Sequence, residues 1–190
     1  MTDQLSDTRT THLPGDGHMW FMVLGDLFIF GGYFIAYLVF RTRAPEQFLA
    51  DQQHLNITIG VVNTIVLITS SWLVARSVQA TRAGNRAGAI SLVRAGSLCG
   101  VLFAAIKVYE WTAEIRAGHT NSSNFFSFYY VLTGVHLFHV GLGLLILGVV
   151  VRELRNPRRA RAGMVEQGAT YWHMVDLLWV VIFALLYVMR

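Results

Sequence analysis

The apolar positions of this chain fall into five long, nearly uninterrupted blocks. They run from Met19 to Phe40, Ile57 to Ala75, Ala95 to Ile115, Phe125 to Val151 and Thr170 to Met189, with short polar segments between them. A helix rising about 1.5 Å per residue needs about 20 mainly apolar residues to cross the hydrocarbon of a bilayer. Each block is long enough. Strands of a membrane barrel would show alternating segments of about ten residues instead, and none is visible. The pattern therefore predicts an all-α integral membrane bundle of five transmembrane helices. It forms a single domain over residues 19–190, preceded by a polar segment, residues 1–18. Short connections favour antiparallel neighbours over separate domains. The opening stretch MTDQLSDTRTTHLPGDGH is acidic and polar, with no basic n-region and no cleavage site. The first span is accordingly expected to be a retained anchor rather than a signal peptide.

Composition agrees with the pattern. Of 190 residues 54% are hydrophobic and 14% charged, against about 25% charged in an average soluble domain. The single cysteine, Cys99, excludes an intramolecular disulfide framework, a Cys-based zinc site and an iron–sulfur cluster with its usual ligands. The arginines are unevenly placed. Alternating the sides of the five spans puts ten on one side (Arg9, Arg76, Arg82, Arg86, Arg94, Arg152, Arg155, Arg158, Arg159 and Arg161) and four on the other (Arg41, Arg43, Arg116 and Arg190). This asymmetry predicts a cytoplasmic N-terminus and an outside C-terminus. The basic residues Arg76, Arg82, Arg86, Arg152, Arg155, Arg158, Arg159 and Arg161 read as topology determinants in contact with anionic membrane lipids. A nucleic-acid partner is not expected, because the basic stretch VRELRNPRRARAG is short and has no folded reader.

Seven ionisable residues fall inside the blocks: Asp26, Lys107, Glu110, His136, His139, His173 and Asp176. Each costs about 2.5 to 3.5 kcal/mol at the centre of a helix on insertion scales. They therefore need partners. Counting along the spans predicts two polar layers: Asp26, His173 and Asp176 in the inner third, and Lys107, His136 and His139 near mid-depth with Glu110 slightly farther out. Lys107 with Glu110, His136 with His139, and His173 with Asp176 each share a helix face at a spacing of three residues. Two readings stand: mutual satisfaction that locks helix packing, and a proton-conducting or redox-linked site. A metal site built from His136 and His139 with Asp26 or Glu110 rests on a weak HxxH signal. Paired histidine ligation of haem is disfavoured because His173 lies too far inward to face His139. Gly134, Gly141 and Gly148 recur every seven residues and predict a close-packing ridge on the fourth span, with Gly25, Gly31 and Gly32 serving similarly on the first.

Five local motifs resemble one family. The first span reads WFMVLGDLFIFGGYFIAY, the second VNTIVLITSS, the third CGVLFAAIKVYEW, the fourth FYYVLTGVHLFHV and the fifth YWHMVDLLWVVIFALLYV. In order and spacing they are similar to the spans of haem–copper oxidase subunit III (the cytochrome c oxidase type), in its five-helix form, from Met19 to Arg190. The resemblance implies a non-redox accessory subunit of an aerobic respiratory terminal oxidase in the bacterial plasma membrane. It implies no cofactor in this chain, with haem and copper held by the partner catalytic subunit I, and contacts with other complex subunits and bound phospholipid. In such proteins subunit III sustains proton uptake and enzyme lifetime. Asp26 takes the place of the family's carbodiimide-reactive glutamate, while Glu110, His136, His139, His173 and Asp176 match its polar residues. Two departures, Asp for Glu at Asp26 and Lys for Gln at Lys107, are similar to the accessory branch found with nitric oxide reductases. That branch is the alternative partner. A free-standing proton or ion transporter and a small haem-binding cytochrome are readings of different classes.

Overall fold

A computed structural model of the chain describes residues 17–120, 123–156 and 162–189. Six α-helices and a terminal π-helical turn make up those residues: α1 (Gly17–Arg43), α2 (Pro45–Gln52), α3 (Ile57–Arg82), α4 (Arg86–Arg116), α5 (Asn124–Arg155), α6 (Ala162–Phe183) and the turn Ala184–Val188. Five are long and apolar enough to cross a membrane. The protein is a five-span helical membrane bundle. Three helices run well past the apolar blocks: α3 continues seven residues to Arg82, α4 starts at Arg86 rather than Ala95, and α6 at Ala162 rather than Thr170. Hydropathy marks only the part of a helix that lies in hydrocarbon, whereas backbone hydrogen bonding continues until a cap stops it. Side chains of Asn56, Asn85 and Ser123 cap the starts of α3, α4 and α5. Arg76, Arg86 and Arg94 thus sit on helices rather than in a loop, and Arg76 stacks over Trp72 at 5.5 Å. Arg158, Arg159 and Arg161 lie outside the described residues.

The short helix α2 is not visible in the apolar blocks. Pro45 opens it at the first turn, where a missing N–H costs nothing. Its buried face carries Phe48 and Gln52. Phe48 packs edge-on against Tyr37 and Phe125, tying the α1–α2 corner to the start of α5. Gln52 Nε2 donates to Leu186 O at 3.0 Å, and Tyr37 OH donates to Leu185 O at 3.0 Å. Those carbonyls belong to the last turn of the final helix, which has no partners of its own. In hydrocarbon an unmet carbonyl costs several kcal/mol. So α1 and α2 close the end of α6.

Helix α6 is the centre of the bundle, packed against α3 on one side and α5 on the other, with α4 behind. Of its apolar stretch 61% is buried, against 17% for α1. Lipid is as apolar as leucine, so close backbone approach and interhelical hydrogen bonds must hold such helices together. Both are present. A Cβ on Gly100 would meet Trp172 at 2.7 Å and one on Gly143 at 2.6 Å. The Trp172 indole therefore fills a slot that only two glycines leave open. Trp172 Nε1 donates to Ser70 Oγ at 3.1 Å, Trp179 Nε1 to Thr64 Oγ1 at 3.0 Å, and Trp111 Nε1 to Thr133 Oγ1 at 3.1 Å. The expected glycine ridge is corrected here. A Cβ on Gly141 or Gly148 would meet nothing within 4 Å, and the same holds for Gly25, Gly31 and Gly32. A seven-residue repeat drifts around an α-helix and says nothing about which face a neighbour covers.

Candidate functional site

Lys107 lies on the face of α4 that meets α5 and α6, and it is fully buried. Its ammonium has three donors and all three are used: Glu110 Oε2 at 3.0 Å, Tyr129 OH at 3.2 Å and Tyr187 OH at 2.7 Å. Tyr187 OH in turn donates to Glu110 Oε1 at 2.5 Å. The rings of Tyr129, Trp179 and Tyr187 surround the charge at 4.6 to 5.2 Å, adding cation–π attraction in a place without water. Tyr187 reaches the pair because it sits in the π turn, where Met189 N bonds to Ala184 O five residues back. The result is a closed charge cluster made by three helices. Sequence reasoning missed both tyrosines. The available signal was a phenol inside an apolar block, a polar group in need of a partner.

The two histidines of α5 diverge. His136 is buried between the rings of Phe103 (5.6 Å) and Trp179 (5.3 Å), and neither ring nitrogen has a hydrogen-bond partner. His139 points the other way, to α1. Its Nδ1 lies 2.7 Å from Val135 O and its Nε2 3.4 Å from Asp26 Oδ1. A carbonyl only accepts, so Nδ1 carries a proton. The contact of Nε2 with the carboxyl then requires a second proton between them, on either partner. This corrects the expected layers. Asp26 shares a level with His139, not with His173 and Asp176, and Lys107 is served by tyrosines instead of by the histidine pair.

His173 and Asp176 occupy a third place, the seam between α6 and α3. Because α6 starts at Ala162, they fall in the middle of the span Gly163–Val188 rather than in an inner third. His173 Nδ1 is 2.7 Å from Ser71 Oγ and 3.9 Å from Asp176 Oδ2. Asp176 is 6% exposed, and both carboxyl oxygens lack a hydrogen bond. Beside them runs a hollow of about 380 Å³ bordered by Ile68, Trp72, Leu177 and Val180. At the end of α4 a separate pair forms: His119 Nδ1 meets Glu114 Oε2 at 2.7 Å, and Tyr130 OH donates to His119 O at 2.7 Å. At the opposite end of the bundle Arg82 meets Glu166 at 2.9 Å. Among the described residues no three His, Cys, Asp or Glu side chains gather as a metal-holding set. What the arrangement can do is hold charge and protons at fixed depths and bind helices to one another.

Comparison with known proteins adds identity to this geometry. A family model described as Cytochrome c oxidase subunit III matches residues 16–190. The chain is 34% identical to "Cytochrome c oxidase subunit 3" of Synechocystis sp., over 97% of this chain and 84% of that protein. It is 24% identical to "Quinol oxidase subunit 3" of Bacillus spizizenii, over 97% and 90% of the two chains. It is also 30% identical to the "Heme-copper oxidase subunit I+III" of Aeropyrum pernix, where 89% of this chain matches 22% of a longer polypeptide. None of these names supports the nitric oxide reductase alternative.

Proposed function

The chain belongs to the cytochrome c oxidase subunit III family, and from that membership we propose that it acts as a non-redox scaffold beside the catalytic subunit I of a bacterial terminal oxidase. Its place as an accessory subunit III of a haem–copper oxidase follows from the family match across the chain. Haem and copper reside in the catalytic subunit, and phospholipid fills the surface not taken by other subunits. The relative whose name joins subunits I and III supports a direct neighbourhood between the two. The chain lies in the plasma membrane with its N-terminus and the Arg82 end inside, as the arginine asymmetry implies.

One observation carries the scaffold reading. Every donor of the Lys107 ammonium is matched by an acceptor on this chain. A relay needs a site that opens to exchange protons, whereas this cluster is closed on all sides by Tyr129, Trp179 and Tyr187. It locks α4, α5 and α6 together. The histidines are spent differently, His136 on aromatic packing, His139 on Asp26 and His173 on Ser71. Affinity purification through a tag on this chain tests the proposal. The complex should contain a second polypeptide carrying all the haem and copper, and the separated chain should show no Soret band and consume no oxygen. A chain that retains stoichiometric haem after separation, or that purifies without a haem-bearing partner, overturns it.

A further inference from the structure

The hollow beside His173 and Asp176 does not end there. It meets a second hollow of about 270 Å³ lined by Gln79, Arg82, Glu166 and Thr170, with Ala75 and His173 common to both. Together they form a trough along the α3–α6 seam from Glu166 to Val180, fourteen residues of α6 or about 21 Å at the helical rise. Its axis runs with the helices. Small side chains line it, Ser71 and Ala75 on α3 and Ala169 and Thr170 on α6, while Trp72 and Leu177, each 57% exposed, stand along it. Small residues four apart are the feature that lets a further helix approach closely. The trough also contains an unmet demand. Both oxygens of Asp176 are buried without a hydrogen bond. Among the described residues the outward nitrogen of His173, Nε2, has no partner either.

We propose that this trough is the seat of a transmembrane helix from another subunit of the oxidase complex, one that brings a hydroxyl, amide or cationic hydrogen-bonding side chain to His173 and Asp176 at mid-membrane. Depth selects this occupant. Asp176 lies ten residues, about 15 Å, beyond Glu166, which is half of a hydrocarbon core about 30 Å thick. Phospholipid donors stay in the headgroup region, and acyl chains bring none to that level. A helix from a partner does. The carboxyl is then satisfied only in the assembled complex, with His173 as the reach between partner and Asp176. This rests on the subunit III reading and adds to it which face of the chain is covered and by what chemistry.

A photo-crosslinking residue at Leu177 in the intact complex, with a second at Leu145 on the outward face of α5 for comparison, tests the trough. The Leu177 position should give a covalent adduct with another polypeptide of the complex at least fivefold more abundant than the Leu145 position. Adducts to lipid or quinone alone at Leu177 overturn the proposal. A second arm uses Asp176→Leu, which removes the unmet carboxyl. The full chain in detergent should melt no lower than wild type, while its recovery with the haem-bearing subunit falls at least fivefold. A lowered melting temperature, or full recovery of the complex, overturns the proposal as well. The wild-type control separates the two readings: if it co-purifies with no haem-bearing subunit, the oxidase assignment itself fails.

Discussion

Two charged places lie inside this bundle, and they are built oppositely. Around Lys107 every hydrogen bond is returned by the same chain: one carboxylate, two phenols and three aromatic faces close over an ammonium with no route to water. Beside Asp176 the carboxyl is equally buried, yet it has no hydrogen bond, and the hollow next to it opens toward the membrane. The contrast separates two uses of buried polarity. A closed cluster fixes the packing of its own helices, since breaking it strands a charge where nothing solvates it. An open one leaves its energy to be recovered by something that arrives later. The first belongs to the fold of the chain and the second to the assembly.

Mutations can test that division, beginning with the largest expected effect. Lys107→Met should destabilise the full chain by about 3 to 5 kcal/mol, because Glu110 is left buried and uncompensated. Thermal melting in detergent measures it. Adding Glu110→Gln to Lys107→Gln should restore most of that loss, as removing both members of a buried pair is often near neutral. A smaller change isolates the π turn's contribution. Tyr187→Phe deletes a hydroxyl that both accepts from Lys107 and donates to Glu110, and should cost about 1 to 3 kcal/mol for the unsatisfied groups that remain. On the open side, Ser71→Ala removes a single hydrogen bond to a half-exposed His173, with an expected loss of about 0.5 to 1.5 kcal/mol. If Ser71→Ala proves as damaging as Lys107→Met, the seam is part of the fold's lock and the division collapses. Smallest of all, Arg82→Ala breaks an ion pair whose arginine side chain is 62% exposed. The loss should stay below about 1 kcal/mol and shrink further in high salt.

Five spans were legible because a bilayer imposes a length and a polarity that composition alone reports. The Lys107–Glu110 contact was legible for a similar reason: a spacing of three on one helix needs no knowledge of neighbours. What stayed hidden depended on rotation and register between helices. His139 meets Asp26 because α5 turns that face to α1, and no count along a single chain fixes such a rotation. The glycines that matter are Gly100 and Gly143, which flank one indole from two different helices. A repeat within one helix could not single them out. Helix α2 was hidden by its shortness, although Pro45 followed by an acidic residue and an apolar face at Phe48 and Leu49 marks a helix start. The depth of Asp176 shifted because polar turns at the start of α6 remain helical outside the hydrocarbon.

The π turn at Ala184–Val188 makes part of this wiring a matter of length. Such a turn holds one residue more than the α-helical turn it replaces, and each residue rotates the chain by about 100°. Deleting a single codon within it would return the segment to regular winding and swing Tyr187 to a different side of the helix, away from Lys107, without changing any residue at 107, 110 or 187. Inserting one would do the reverse in a chain that lacked the turn. A lineage of these proteins can therefore couple or uncouple its lysine and its tyrosine by an indel, and an alignment that forces ungapped register through the last helix will pair the wrong side chains.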